Sequence, residues 1–494
     1  MKNNKKFYVI MYILTCILLI GIIPISMFLC NVPDYLTIIF CCLFAVTFIL
    51  MLKNISKTIK IVLFTLFTVI VMCVGLFGNY CNPYWNSISF RNNANRYSKD
   101  IDVELSQKEA LNDLNYAMNY LEKLHPACYS DLPDEINQRY EQILNELKSA
   151  ENITVIELCQ KIEYIFSALH DGHTYVKHKS ENPLYVKDLY THTNNGKTLT
   201  AINGIDTAEL RRQKTDLYSF EVESWQNVLF RNDINNLSGL TYLGFEADKG
   251  ITFTYKLPDG TKEDVTYFTT DFLPHDEYVK YNKIPQNNNE ETSFVHYEID
   301  EKKSLAIMTL TSCNYNDEYK SCVKEMFEQV KKLNIRNVAV DLRDNGGGNS
   351  MVANEFIRYL PVDEWKDSKC KWRFGCLKIP FMNNTIENKK YADLTFDGMV
   401  YILTSSSSFS SAMLFPLYFK DNNMGTIIGE APGNIPNGYG DVSIFKLPNS
   451  QLFMSISTKE FFRPDQSKTV NLVEPDVPCD SSDVFETLYE QIEK

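Results

Sequence analysis

From Glu298 to the C-terminus, apolar runs of strand length alternate with amphipathic helical patterns. That alternation restricts this half of the chain to an α/β sheet covered on its faces. "SLAIMTL", "NVAVDL", "DGMVYIL", "GTIIG" and "QLFMSIST" read as strands, "NVAVDL" as a buried one. "DEYKSCVKEMFEQVKKL" and "SAMLFPLYFKD" read as helices between them. The expected core is a parallel or mixed sheet over residues 291–494.

Upstream the pattern changes twice. Over 105–183, "SQKEALNDLNYAMNYLEKL" opens with a serine followed three places on by glutamate, a capping-box signal. "DEINQRYEQILNELKSA" and "NITVIELCQKIEYIFSAL" repeat the helical spacing, so about three helices are expected. Over 184–290 the signals turn to strands. "KTLTAING" alternates into a turn, and "GITFTYKLPDGTKEDVTYF" reads as a hairpin around Pro-Asp-Gly. This is a small β module with an inserted segment between Glu209 and Lys249.

The first 80 residues differ from all of this. Phe7 to Cys30, Tyr35 to Leu52 and Ile61 to Phe77 carry no charge, and each approaches the roughly 20 residues that cross a bilayer. Three transmembrane helices are expected over 1–80, with the lipid bilayer as a partner. Lys2, Lys5 and Lys6 precede the first run, and Lys53, Lys57 and Lys60 separate the second from the third. The positive-inside rule then puts the amino terminus in the cytoplasm. A multi-pass cell-membrane protein results, with a linker at 81–104 and everything beyond on the extracytoplasmic side.

Charge narrows the ligand class. The chain is net −13, and residues 1–60 hold six of its 49 basic side chains but one of its 62 acidic ones. The remainder is more acidic still, which argues against nucleic acid as a partner. Thirteen cysteines show no C-x-x-C spacing in the outer portion, so no zinc site of that kind is expected. A Cys370–Cys376 disulfide stays open.

Two junctions carry candidate chemistry. "VAVDLRDNGGGNS" runs from a strand into three successive glycines, which let backbone N–H groups point into a cleft. Neither dinucleotide nor P-loop spacing is present, so no cofactor is expected. "TSSSSFSSAM", residues 404–413, joins a strand to a helix and offers hydroxyls beside unpaired helix amides. A serine there needs a base to become a nucleophile. All seven histidines precede Tyr297, so a histidine base must arrive from another subdomain. Three of them lie in "HDGHTYVKH".

Together, "VAVDLRDNGGGN", "YILTSSSSFSSAMLFPLYFKDN", "GTIIGEAPG" and the closing "VEPDVP" resemble the C-terminal processing (tail-specific) peptidase family of serine proteases over about 300–480. "DGHTYV" and "LTAINGIDTAEL" look like that family's helical region and PDZ-like module. The resemblance implies a ClpP/crotonase-like mixed-sheet core and a serine endopeptidase acting on extended or C-terminal polypeptide. It implies Ser410 as nucleophile, with an oxyanion hole from the N–H of a glycine in Gly346–Gly348, taken as Gly347, and the N–H of Ser411. The serine–lysine branch would need a lysine where Ile435 stands, and "EAPGNIPNGYGD" has none. The histidine-based, tricorn-like branch fits better and gives His173 as base. Glu460 is the first choice to orient it, then Asp465, then Asp171. No metal is expected.

Two other classes compete. The missing lysine also suits a catalytically inactive peptide-binding module or receptor on the same fold. An esterase or acyltransferase is disfavoured because G-x-S-x-G is absent around Ser410.

Overall fold

The computed structural model describes residues 96–187, 197–282 and 293–494, together with Ile10, Val46, Pro83, Tyr84, Asn86, Ser87 and Ile88. Two compact units divide the chain. The smaller holds Met1–Asn95, Phe374–Leu377 and Ser443–Phe445, and in it Ile88 N–H donates to the Ile444 carbonyl at 2.8 Å. The larger holds Arg96–Arg373, Lys378–Val442 and Lys446–Lys494. All that follows concerns the larger unit.

Its first layer is helical. α1 (Gln107–Leu124) starts at Ser106, whose side chain and that of Glu109 cap each other's backbone amides. α2 (Asp134–Ser149) follows, then α3 (Val155–Ser167) with a second capping box from Thr154 and Glu157. β1 (Tyr175–Lys177) leaves this layer.

The β module contains β2 (Thr198–Ile202), β3 (Ile205–Asp206), α4 (Glu223–Asp233), β4 (Ile251–Lys256) and β5 (Lys262–Tyr267). Its sheet order is β3-β2-β4-β5. The Pro-Asp-Gly hairpin is present, with Lys256 facing Lys262 across the turn.

The core sheet begins with β6 (Val295–Asp300) and β7 (Leu305–Leu310), which run antiparallel. α5 (Asp317–Lys332) then leads to β8 (Asn337–Asp341). β9 (Lys369–Phe374), β10 (Met399–Thr404), α6 (Ser411–Asn422), β11 (Thr426–Gly429), β12 (Phe453–Phe462) and β13 (Val477–Pro478) follow in the chain. The six-stranded order is β6-β7-β8-β10-β11-β13, parallel from β7 onward. Helices cover both faces, so the central strands are buried almost throughout and lack alternation. α6 is likewise apolar nearly all round and sits inside the main core.

β12 belongs to a second sheet, pairing antiparallel with β9 at Lys371 and Glu460 and with β1 at Val176 and Met454. That last pairing ties the helical layer to the core.

The expected α/β architecture is present, but the three transmembrane helices and the multi-pass membrane location need correction. Among the described residues no helix is long and apolar enough to cross a membrane. The longest, α1, carries Lys108, Glu109, Asp113, Glu122 and Lys123 within 18 residues, charges that hydrocarbon does not tolerate. The three apolar runs lie outside the described residues, apart from Ile10 and Val46. Cys370 carries a free thiol.

Candidate active site

β8 and β10 are adjacent parallel strands, so the loops at their carboxyl ends meet at the edge where open α/β sheets place ligands. Asn345, fully buried, joins these loops. Its side-chain oxygen accepts the Gly347 amide at 2.8 Å, its side-chain nitrogen donates to the Leu310 carbonyl at 2.8 Å, and its own carbonyl accepts the Phe409 amide at 3.0 Å.

The serines of "TSSSSFSSAM" are not equivalent. Ser405 Oγ donates to the Arg343 carbonyl, Ser408 Oγ to Leu342 at 2.7 Å, and Ser411 Oγ to Gly348 at 2.8 Å. These hydroxyls fasten the serine loop to the glycine turn. Among the described residues, the Ser410 hydroxyl makes no hydrogen bond. Ser410 is the N-cap of α6 at φ 58°, ψ −122°, with its amide donating to Asn434 Oδ1 at 2.8 Å. Such a backbone costs about 1–3 kcal/mol and persists only where neighbours over-determine it.

The glycine turn lies against this serine. A Cβ on Gly347, at φ 101°, would come within 2.7 Å of Ser410 Cβ and 2.7 Å of the Phe409 carbonyl. Only hydrogen fits there. Because the Gly347 amide is spent on Asn345, the donors left in these two loops are the Ser411 amide at the α6 N-terminus and the neighbouring glycine amides. None of these has an acceptor among the described residues.

His173 arrives from the loop between α3 and β1, held to β12 by its carbonyl, which accepts Ser455 Oγ at 2.7 Å, and by Thr174 Oγ1, which accepts the Ser457 amide at 3.0 Å. It is 7% exposed. Its ring packs on Phe409, centroids 4.5 Å apart, and Phe409 is stacked on its other side by Trp225 of α4 at 4.0 Å. Gly172 permits this, since a Cβ there would stand 3.1 Å from the Phe409 ring.

Asp171 anchors the loop. It accepts the His173 amide at 3.0 Å, Thr174 Oγ1 at 2.6 Å and pairs with His125 Nε2 at 3.0 Å, while His173 Nδ1 lies 3.7 Å away. Burial works against its charge, but the bond to His125 and the nearness of His173 outweigh it and hold the carboxyl well below the usual carboxylate range. Glu221, just before α4, contributes a second carboxylate. Burial, then the charge of Asp171, pushes it well above its ordinary range.

Of the residues named from sequence, Ser410, Ser411, Gly347 and His173 are thus gathered around Phe409. Glu460 faces Lys371 across β9 and β12, with Lys378 Nζ 3.2 Å and Lys371 Nζ 3.8 Å from Oε2. Asp465 is exposed chiefly to its own turn, accepting from Ser467 at 2.7 Å. Sequence reasoning missed Asn345, Asn434, Glu221 and Trp225. Polar and aromatic singletons in separate segments carry no spacing signal.

Residues 304–479 match the model of peptidase family S41. The sequence matches no curated protein. Among solved structures the chain is similar to a CPAF mutant, with 14% identity, 78% of this chain and 96% of that chain covered, and a TM-score of 0.57. Mature CPAF complexed with lactacystin gives 12%, 78%, 97% and 0.54. At such identity these likenesses show the fold. The family match spans the glycine turn and the serine loop, so residues 304–479 form a peptidase family S41 region, which supports a serine peptidase.

Proposed function

We propose that the chain is an endopeptidase cleaving extended or C-terminal polypeptide segments, with Ser410 as nucleophile, His173 as general base and backbone amides as the oxyanion hole. The observation that carries this reading is the Phe409 stack, which sets the imidazole from the helical layer beside the residue preceding Ser410.

Attack begins when His173 Nε2 accepts the Ser410 proton and Oγ bonds to the substrate carbonyl carbon. The carbonyl oxygen becomes an oxyanion, received by the Ser411 amide and a glycine amide of the adjacent turn. Each fixed donor contributes about 3–4 kcal/mol. The imidazolium returns its proton to the leaving amine, and water then hydrolyses the acyl-serine by the same steps. Ser410 and His173 are not hydrogen-bonded at rest; catalytic contacts commonly tighten once substrate binds. Asp171 is preferred over Glu460 as the positioning carboxylate, because it holds the His173 amide while Glu460 faces lysines.

Substrate approach is suggested by a cleft of about 470 Å³ lined by Leu199, Arg211, Asn227, Phe230, Ser406 and Glu430. It joins a PDZ-like β module to the serine loop, and an extended tail could lie there by strand addition.

The test is cleavage of an unfolded polypeptide followed by mass spectrometry of the fragments. Wild type should give internal cuts and Ser410→Ala none. Equal digestion by both proteins would refute the assignment.

A further inference from the structure

Beside His173 and Asp171 stands a third group, Glu221, that peptide hydrolysis as proposed leaves unused. Asp171, His173 and Glu221 place two carboxylate oxygens and a ring nitrogen within 4.8 Å of one another. His173, more than nine-tenths buried, has no hydrogen-bond partner at Nδ1, the atom facing Asp171 at 3.7 Å. Neither buried carboxylate oxygen of Glu221 has a side-chain partner, and the group acting on it from the chain nearby is the Gly172 backbone. Among the described residues neither acid pairs with a lysine or arginine. A buried carboxylate left in this state is costly unless it is paired or binds a cation.

We propose that Asp171, His173 and Glu221 form a divalent-cation site, suited to zinc, that reversibly switches the peptidase off. Imidazole nitrogen and carboxylate oxygen are both zinc ligand types, and three protein ligands leave a fourth tetrahedral position open to water. On binding, Glu221 releases its proton to solvent, and two carboxylates with a neutral imidazole then match the charge of a divalent cation. Zinc bonds of about 2.0–2.1 Å put tetrahedral ligand atoms about 3.3 Å apart. The 3.7 Å pair is already close to this. Glu221, unheld at its carboxylate, can swing in to complete the set.

The switch follows from the chemistry of imidazole and rests on His173 being the base. A neutral ring has one lone pair and one N–H. With Nδ1 on the metal, the proton sits on Nε2, and that nitrogen cannot accept the Ser410 proton. Metal removal returns the lone pair.

The experiment uses the full chain carrying Ser410→Ala, so metal binding is read independently of peptidase activity. Isothermal titration with zinc, and the visible spectrum of added cobalt, should show one ion per chain. Affinity should fall at least about 10-fold in Glu221→Gln and vanish in His173→Ala. In the Ser410 protein, zinc should inhibit, EDTA should restore activity, and Glu221→Gln should need more zinc for the same inhibition. Melting curves confirm that the variants fold. Absence of binding, or binding unchanged in both variants, overturns the proposal. So does a Glu221→Gln protein whose pH–rate profile shifts while no metal binds, because Glu221 would then share a proton with Nδ1 instead. Binding by the Ser410→Ala protein beside an inactive wild type would leave the cation site standing and sink the peptidase assignment alone.

Discussion

The imidazole of His173 and the phenyl ring of Phe409 pack with centroids 4.5 Å apart. A residue from the helical layer therefore touches the loop that carries Ser410, although 236 positions separate the two rings in the sequence. Gly172 makes room for the contact, Trp225 backs it, and the pairing of β1 with β12 fixes it in place.

Asp171→Asn tests the positioning role. The amide keeps the shape but loses the charge that favours an imidazolium and the acceptor capacity that fixes the loop. Turnover should fall between about 10²- and 10⁴-fold with KM nearly unchanged. Steady-state kinetics and a pH–rate profile check it. Equal activity would remove Asp171 from the mechanism.

Gly347→Ala tests the close approach of the two loops. The added methyl would meet Ser410 Cβ and the Phe409 carbonyl at 2.7 Å, on a backbone that disfavours side chains. A loss of about 1–3 kcal/mol in stability is expected, with turnover down about 10²-fold from displacement of the serine. Urea unfolding and kinetics on the same sample separate the effects.

Much of this was legible in advance. Continuous apolar runs named the buried strands β8 and β10, and three- and four-residue spacing named α1 to α3 and α5, because burial imposes those periods directly on the chain. The Ser106–Glu109 capping box was readable from residues three apart, whereas the Thr154–Glu157 box was not picked out. Ser410 and His173 stood out by motif, while Asp171, the carboxylate beside His173, ranked only third behind Glu460 and Asp465. Glu460 was chosen for its place after a strand, while Asp171 earns its contacts by folding back on the amide two residues on. Glu221 and Trp225 reach the site only through tertiary packing, so neither cysteine spacing nor any local pattern pointed to an Asp–His–Glu cluster. The runs before residue 80 are read from their length, their lack of charge and the lysines that flank them, and they lie outside the described residues apart from Ile10 and Val46.

Glu163 in α3 supplies a pH signature. It accepts the Val176 amide at 2.6 Å and Ser219 Oγ at 2.8 Å, yet burial outweighs these bonds and pushes its carboxyl up to about 8. The unfolded chain releases that proton at about 4.3. The folded state thus binds more protons between the two values, and stability is greatest below the lower one and declines as pH rises toward the upper. Glu163→Gln should flatten that decline. Urea midpoints across this window decide, and a parallel pair of curves would contradict the assignment.

Arg463→Met tests the anchor of α6. Arg463 Nη2 lies 2.9 Å from Asp421 Oδ1, with both side chains almost fully buried. Removing the guanidinium leaves Asp421 with only the Lys468 ammonium at 3.1 Å as ion partner, and a loss of about 3 kcal/mol is expected in denaturant unfolding.

Reaction with a fluorophosphonate, followed by mass spectrometry of the modified peptide, tests the serine–histidine pairing most directly. The adduct should map to Ser410 in the wild type and drop sharply in His173→Ala. Modification at another residue, or equal labelling of Ser410 without the imidazole, would contradict it.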